Sequence, residues 1–306
     1  MKTIHISNIE NIDKIDNLTL CLGFFDALHL GHLSLINKAK EIRGTIGILS
    51  FSKNPQTLLS NSKNTIINTL EMKEEILSSL KVDYLIVLDL SWEILNLEID
   101  DFINKILVKL GTKNIICGFD YSFGHFGKGK PKDLISCSLF NVYVVNEVVN
   151  DKDQKISSSL IHKLIKEGNI LEANTYLSRN YEIRGKVEHG FGVGRTISFK
   201  TANILPSDNF EIPSNGVYAT KIIINDKSYL SMTNIGLHPT INKLEKPSIE
   251  TYIFDFNEDI YCDNIRLIFY KKTREETKFS SLEELKDQLI KDEKEIRLYF
   301  DNLGSR

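Results

Sequence analysis

The stretch Leu22-Gly23-Phe24-Phe25-Asp26-Ala27-Leu28-His29-Leu30-Gly31-His32 decides how this chain is read. It follows from an apolar run over 18–25 that has the length and composition of a buried strand. At His32 a helical pattern takes over, with Leu35, Ile36, Ala39 and Ile42 recurring at three- and four-residue spacing. A strand that enters a helix through a glycine-bearing turn presents free backbone N–H groups at the helix N-terminus, which is a site for phosphate. His29 and His32, with Gly31 between them, can lean over the same anion.

Outward from this stretch, the chain alternates. Strands are expected over 18–23, 45–51, 84–88, 114–118 and 141–145, and helices over 32–42, 70–80 and 99–110. Short continuous apolar strands separated by amphipathic helices imply parallel strands with right-handed crossovers. The expected fold of this part is an α/β doubly wound parallel sheet, Rossmann-like, with its ligand crevice at the carboxyl ends of the strands. His29 and His32 lie at such an end. Near Ser178 the pattern changes to β-rich segments with Gly, Pro and Asn turns, over 181–187, 216–224, 229–233, 248–255 and 265–270. These predict a small closed barrel or sandwich. A helical stripe over 281–300 closes the chain, with Leu282, Leu285, Leu289 and Ile296 facing a core. The expected domains are therefore 1–178 and 179–306, as the length of 306 residues also favours.

Composition narrows the classes. Charged residues at 26% and hydrophobic ones at 42% describe an ordinary soluble globular chain. A net charge of −3 with dispersed Lys and Arg gives no footprint for nucleic acid or for a membrane surface. No apolar run reaches the length of a membrane span, and no apolar segment of a signal peptide follows Met1-Lys2-Thr3-Ile4-His5. Cys21, Cys117, Cys137 and Cys262 are scattered without a C-x-x-C pair, so they read as reduced thiols of a cytoplasmic protein. Nothing in the pattern calls for an obligate protein partner.

The G-x-F-D-x-x-H-x-G-H of the opening stretch resembles the phosphate site of nucleotidylyltransferases. With the doubled Phe24-Phe25 and the motifs below, the chain resembles the bacterial bifunctional riboflavin kinase/FMN adenylyltransferases, also called FAD synthetases. The resemblance implies that Gly23, Phe24, Asp26 and Gly31 bind ATP and its phosphates, with His29 and His32 catalytic. Gly118-Phe119-Asp120-Tyr121-Ser122-Phe123-Gly124 resembles the family's next motif and implies that Asp120 and Phe123 bind flavin. Read alone, the same segment fits a Phe/Tyr pair packed in the core beside a turn. In Ile156-Ser157-Ser158-Ser159-Leu160-Ile161-His162 the family carries hydroxyls and an arginine on the ATP phosphates. That implies Ser158, Ser159 and His162 for the role, although the serines would serve equally as helix caps. Departures are Ala27, Asn54 where the family has histidine, and His162 in place of the arginine.

The β-rich part resembles the riboflavin kinase domain, a six-stranded β-barrel followed by a C-terminal helix. The run over 185–195 is dense in glycine, which lets backbone approach phosphate. The resemblance assigns Gly190, Gly194 and Arg195 there to ATP. Lys200-Thr201-Ala202-Asn203 stands where the family reads P-T-A-N, and implies Thr201 and Asn203 as hard ligands of Mg²⁺ between nucleotide phosphates. Ser198 and Lys200 are departures. Glu250, in Glu250-Thr251-Tyr252-Ile253-Phe254-Asp255-Phe256, matches the family's base for the riboflavin 5′-hydroxyl. It alternates with Tyr252 and Phe254, which predicts a strand face lined by aromatics. Thr233-Asn234-Ile235-Gly236-Leu237-His238-Pro239-Thr240 matches the family's N-I-G-x-x-P-T and reads as scaffold near the site, and Arg274 and Arg297 match family arginines.

The function implied is ATP-dependent phosphorylation of riboflavin to FMN, then adenylylation of FMN by ATP to FAD and pyrophosphate. ATP, ADP, riboflavin, FMN, FAD and pyrophosphate are the implied partners, with Mg²⁺ as cofactor. The departures keep two rivals open: a kinase with weakened adenylyltransferase, and a flavin-binding regulatory protein.

Overall fold

The computed structural model describes residues 1–54, 65–188, 199–237 and 247–304. They form two compact units, Met1–Ser158 and Ser159–Arg306.

The first unit is built on β2, Leu18–Leu22, whose five residues are all buried. Alternate side chains point to opposite faces of a strand. Leu18, Leu20 and Leu22 accordingly join one apolar cluster, with Ile86, Phe102 and Ile106. Cys21 joins another on the opposite face, with Ile36, Ile48 and Leu77. A strand covered on both faces needs a continuous apolar run, which is why 18–22 reads as one. Around it lie β1 (Lys2–Ile6), β3 (Thr45–Phe51), β4 (Tyr84–Leu88), β5 (Thr112–Gly118) and β6 (Asn141–Val145). The sheet order is β1-β4-β3-β2-β5-β6 and every pairing is parallel. Helices α1 (Leu30–Glu41) and α2 (Leu70–Ser79) contribute to the cluster containing Cys21, whereas residues 99–108 supply the cluster on the other face. This is the expected doubly wound sheet. The chain runs from β2 outward through β3 to β4, then returns to β5 on the other side of β2. The order therefore reverses between β2 and β5, the place where open α/β sheets bind ligands.

Ser158, the last residue of the first unit, begins α6 (Ser158–Lys166); the second unit opens with the rest of α6 and with α7 (Ile170–Leu177), ahead of the change in sequence pattern at Ser178. Shorter helices α3 (Trp92–Leu95), α4 (Ile99–Phe102) and α5 (Pro131–Ser136) belong to the first unit. Ser178 stops α7 with a left-handed φ of 56°. The Asn174 side chain accepts from Tyr181 N–H at 2.7 Å and donates to the Phe269 carbonyl at 2.9 Å, tying α7 to the barrel. The barrel strands are β7 (Tyr181–Glu188), β8 (Thr201–Pro206), β9 (Gly216–Ile224), β10 (Lys227–Leu237), β11 (Pro247–Ile253) and β12 (Asn264–Arg274). They close in the order β10-β11-β8-β7-β12-β9.

Inside the barrel, four buried hydroxyls satisfy one another: Ser231 and Thr233 each lie 2.8 Å from Thr220, and Thr251 lies 3.0 Å from Thr233. The opposite strand faces carry Val217, Ala219 and Met232, which pack against Ile296 and Phe300 of the C-terminal helix α8 (Leu282–Gly304). Arg274 fixes that helix, donating from Nε and Nη2 to the buried carboxylate of Asp292 at 2.7–3.1 Å. Losing one partner of such a pair is strongly destabilising, by about 3–5 kcal/mol. Among the described residues no helix is long and apolar enough to cross a membrane.

Candidate active sites

The loop between β2 and α1 is held from below. Phe25 and Leu28 have left-handed φ values of 52° and 49°, a conformation that costs bulky residues of order 1–3 kcal/mol each. Both side chains are buried in the cluster beneath, which keeps the loop in that shape. Three polar side chains hold its carbonyls. Ser50 Oγ donates to Phe24 O at 2.7 Å, Asn68 Nδ2 donates to Asp26 O, and Lys73 Nζ lies 3.5 Å from Phe24 O. The Lys73 ammonium also lies 4.3 Å from the Phe24 ring centroid. Burial lowers the pKa of Lys73, and the negative charge of Asp26 opposes that shift. Lys73 escaped the sequence reading, although its signal was there: a lysine four residues before Leu77 on the apolar stripe of a helix.

At the top of this loop His29 caps α1. Its Nδ1 accepts from the Gly31 N–H at 3.1 Å, so a neutral ring carries its proton on Nε2 as a donor. His32 stacks on His29 with centroids 3.9 Å apart, and on Phe25 at 4.7 Å. Gly31 is required by that closeness: a Cβ there would come within 2.9 Å of the His29 ring and 3.4 Å of Ile156 O.

These residues line a cavity of about 230 Å³ at the reversal of strand order. From the β2 side come Gly23, His29, Gly31 and His32; from the end of β5 come Gly118, Phe119, Asp120 and Tyr121. Lys155, Ser157 and Ser158, the first residue of α6, complete it. Asp120 is ion-paired with Lys155.

Several expected residues stand off the cavity. Phe24 lies under Lys73, and Asp26 and Ala27 are buried in the loop. Phe123, expected on flavin, is buried in the core with its ring 5.2 Å from Phe102. Paired backbone bonds with Gly129, at 2.9 and 3.1 Å, turn it inward. Ser159 and His162 belong to the second unit, where the His162 ring pairs with Glu211 at 3.0 Å. Asn54 ends a described segment; Pro55 lies outside it.

The second site is a row across the barrel. Glu250 on β11 lies opposite Asn203 on β8 and opposite Asn234 on β10, and Asn234 opposite Val217 on β9. Thr201 Oγ1 lies 3.4 Å from Glu250 Oε2, within reach of a weak hydrogen bond. Glu250, Thr201, Asn234 and Tyr252 line a cavity of about 270 Å³ between the barrel and α8, with Arg274 and Phe279 also in its wall. The predicted alternation therefore holds for Glu250 and Tyr252, while Phe254 is buried under α8. Asn234, expected as scaffold, is on the cavity because Thr233 and Ile235 on either side point into the barrel. Thr201 also lines a second cavity of about 340 Å³, with Lys200, Glu258 and Tyr261. It thus stands in the wall shared by two cavities. Arg297 instead ties α8 down, donating to Asp255 at 2.8 and 2.9 Å and stacking over Phe254. Gly190, Gly194, Arg195, Ser198 and the Pro239-Thr240 pair lie outside the described residues.

Among the described residues no cluster of three or more His, Cys, Asp or Glu could hold a metal. Thr201, Asn203 and Glu250 nevertheless offer a hydroxyl, an amide and a carboxylate, all hard oxygens. Such a sparse set fits a cation that keeps most of its ligands from phosphate and water, as Mg²⁺ does.

Comparison with known proteins matches each part of the chain to a family. Residues 12–160 match the family model for FAD synthetase, and residues 177–300 match that for riboflavin kinase. A bifunctional riboflavin kinase/FMN adenylyltransferase from Listeria monocytogenes is 38% identical, covering 99% of each chain. Its counterpart from Bacillus subtilis is 35% identical, again over 99% of each. A solved structure described as a macrolide-efflux protein from Streptococcus pneumoniae superimposes with a TM-score of 0.90, at 32% identity, covering 96% of this chain and 98% of that one. With both domain models matched in order and relatives this similar along their whole length, the chain belongs to the family of bifunctional riboflavin kinase/FMN adenylyltransferases.

Proposed function

We propose that the chain makes FMN from riboflavin in the barrel unit and FAD from FMN in the α/β unit, using ATP in both. The observation that carries the kinase half is Thr201, in contact with Glu250 and in the wall of two adjoining cavities. Flavin in the cavity lined by Tyr252 and Phe279 would bring its 5′-hydroxyl to Glu250, and ATP in the other would bring its γ-phosphoryl to the same wall. Glu250 takes the hydroxyl proton while the new O–P bond forms and ADP leaves. Thr201 and Asn203 would hold Mg²⁺, which when bound neutralises phosphate charge. Lys200, in place of the family's proline, adds a cation to the nucleotide side.

In the α/β unit the FMN phosphate is itself the nucleophile. Its oxygen attacks the α-phosphorus of ATP, and the bond to the pyrophosphate leaving group breaks, with no covalent enzyme intermediate. The His29 Nε2 proton, the stacked His32 and the N-terminal amides of α1 supply donors where negative charge builds. Ser158 and Asp120 stand on the same cavity to take phosphate and flavin edges. A chain of this kind works where riboflavin and ATP meet, in the cytoplasm.

The test is a time course. The protein incubated with riboflavin, ATP and Mg²⁺ should accumulate FMN first and FAD after a lag, and supplied FMN should give FAD without the lag. FMN as the final product would support the kinase-only rival; neither product would leave only flavin binding.

A further inference from the structure

The turn after β5 carries three aromatic residues, and they divide in an informative way. Phe123 is buried and Tyr121 stacks on it, with centroids 5.9 Å apart. Phe119 is turned the other way: it is 46% exposed and lines the cavity that holds the two histidines, where Tyr121 also reaches the wall. Its N–H donates to Val145 O at 3.1 Å, so its backbone is fixed by the end of β6. The Lys155 ammonium lies over its ring, 4.8 Å from the centroid, and Asp120 pairs with that ammonium. A large apolar side chain held open to water on a concave wall is the exception among phenylalanines, which are mostly buried. The residue is 46% exposed with the ammonium in place, which leaves surface open to a flat partner.

We propose that Phe119 is a substrate-binding residue, a stacking platform for a planar aromatic heterocycle. Both substrates of the proposed reaction carry one, adenine in ATP and isoalloxazine in FMN. Stacking of a base on an aromatic side chain is tolerant of ring identity and depends on the exposed π-face. Lys155 and Asp120 keep the ring oriented, and Phe123 takes no part. This rests on the adenylyltransferase reading of the cavity.

The experiment compares wild type, Phe119→Leu and Phe119→Trp in FAD formation from supplied FMN, each substrate being varied in turn. Loss of the platform in Phe119→Leu should raise the KM of one substrate by about 5–150-fold. Riboflavin phosphorylation by the same preparation should stay at the wild-type rate, and Phe119→Trp should restore the KM. A rise confined to ATP identifies adenine as the stacked ring; one confined to FMN identifies isoalloxazine. Unchanged KM values for both substrates in Phe119→Leu would overturn the proposal. So would Phe119→Trp being as weak as Phe119→Leu, since shape and not stacking would then be at stake. Should wild type form no FAD at all, the adenylyltransferase reading fails by itself. Calorimetric binding of FMN and of ATP to wild type and Phe119→Leu then decides on Phe119: weaker binding of one supports it, and equal affinities overturn it.

Discussion

Replacing Glu250 by glutamine is expected to slow riboflavin phosphorylation by about 10²–10⁴-fold, the usual contribution of a positioned general base. The change keeps the shape of the side chain, and its amide oxygen can still accept from Thr201, whose hydroxyl lies 3.4 Å from the carboxylate. Strand pairing is untouched, because Glu250 meets Asn203 and Asn234 through backbone register. On the proposed mechanism, what is lost is the ability to take the 5′-hydroxyl proton. FAD formation from supplied FMN should proceed at the wild-type rate, since His29 and its cavity belong to the other compact unit. Equal losses in the two assays would assign Glu250 to folding.

His29→Asn is expected to do the reverse. Asparagine is among the best helix N-caps, so it can keep an acceptor for the first turn of α1. It removes the Nε2 donor and the ring on which His32 stacks. Removing one donor aimed at developing negative charge typically lowers the rate by about 10²–10³-fold. FAD formation from FMN should fall by that much, with riboflavin phosphorylation unchanged. A His29→Asn protein that adenylylates FMN as fast as wild type would show that the dihistidine stack is an architectural feature of the loop and not a source of catalysis.

What the sequence could reveal followed the physics of burial. The β2–loop–α1 unit was legible because a central strand covered on both faces must be apolar throughout, as 18–22 is. Edge strand β1 passed unnoticed because only Ile6 of its five residues is buried. Strand β8 was hidden in a motif, Thr201-Ala202-Asn203, whose residues are chosen for what they bind. Alternation placed Glu250 and Tyr252 correctly, and the same rule applied to Thr233, Asn234 and Ile235 would have placed Asn234 on the cavity. The turn after β5 was different. Its spacing shows three aromatics but not which way each ring points: Phe119 lines the cavity, whereas Phe123, backbone-paired with Gly129, is buried beside Phe102. The partner of His162 was out of reach of any local pattern, since Glu211 is 49 residues away.

The central claim is that one chain carries two separate sites, with FMN the product of one and the substrate of the other. Mixing the two variant proteins tests it most directly. With riboflavin, ATP and Mg²⁺, Glu250→Gln alone should form almost no FMN, and His29→Asn alone should stop at FMN. Together they should form FAD, because FMN released by the barrel of one reaches the intact α/β site of the other. A mixture that forms no more FAD than its two components would contradict two independent sites on this chain.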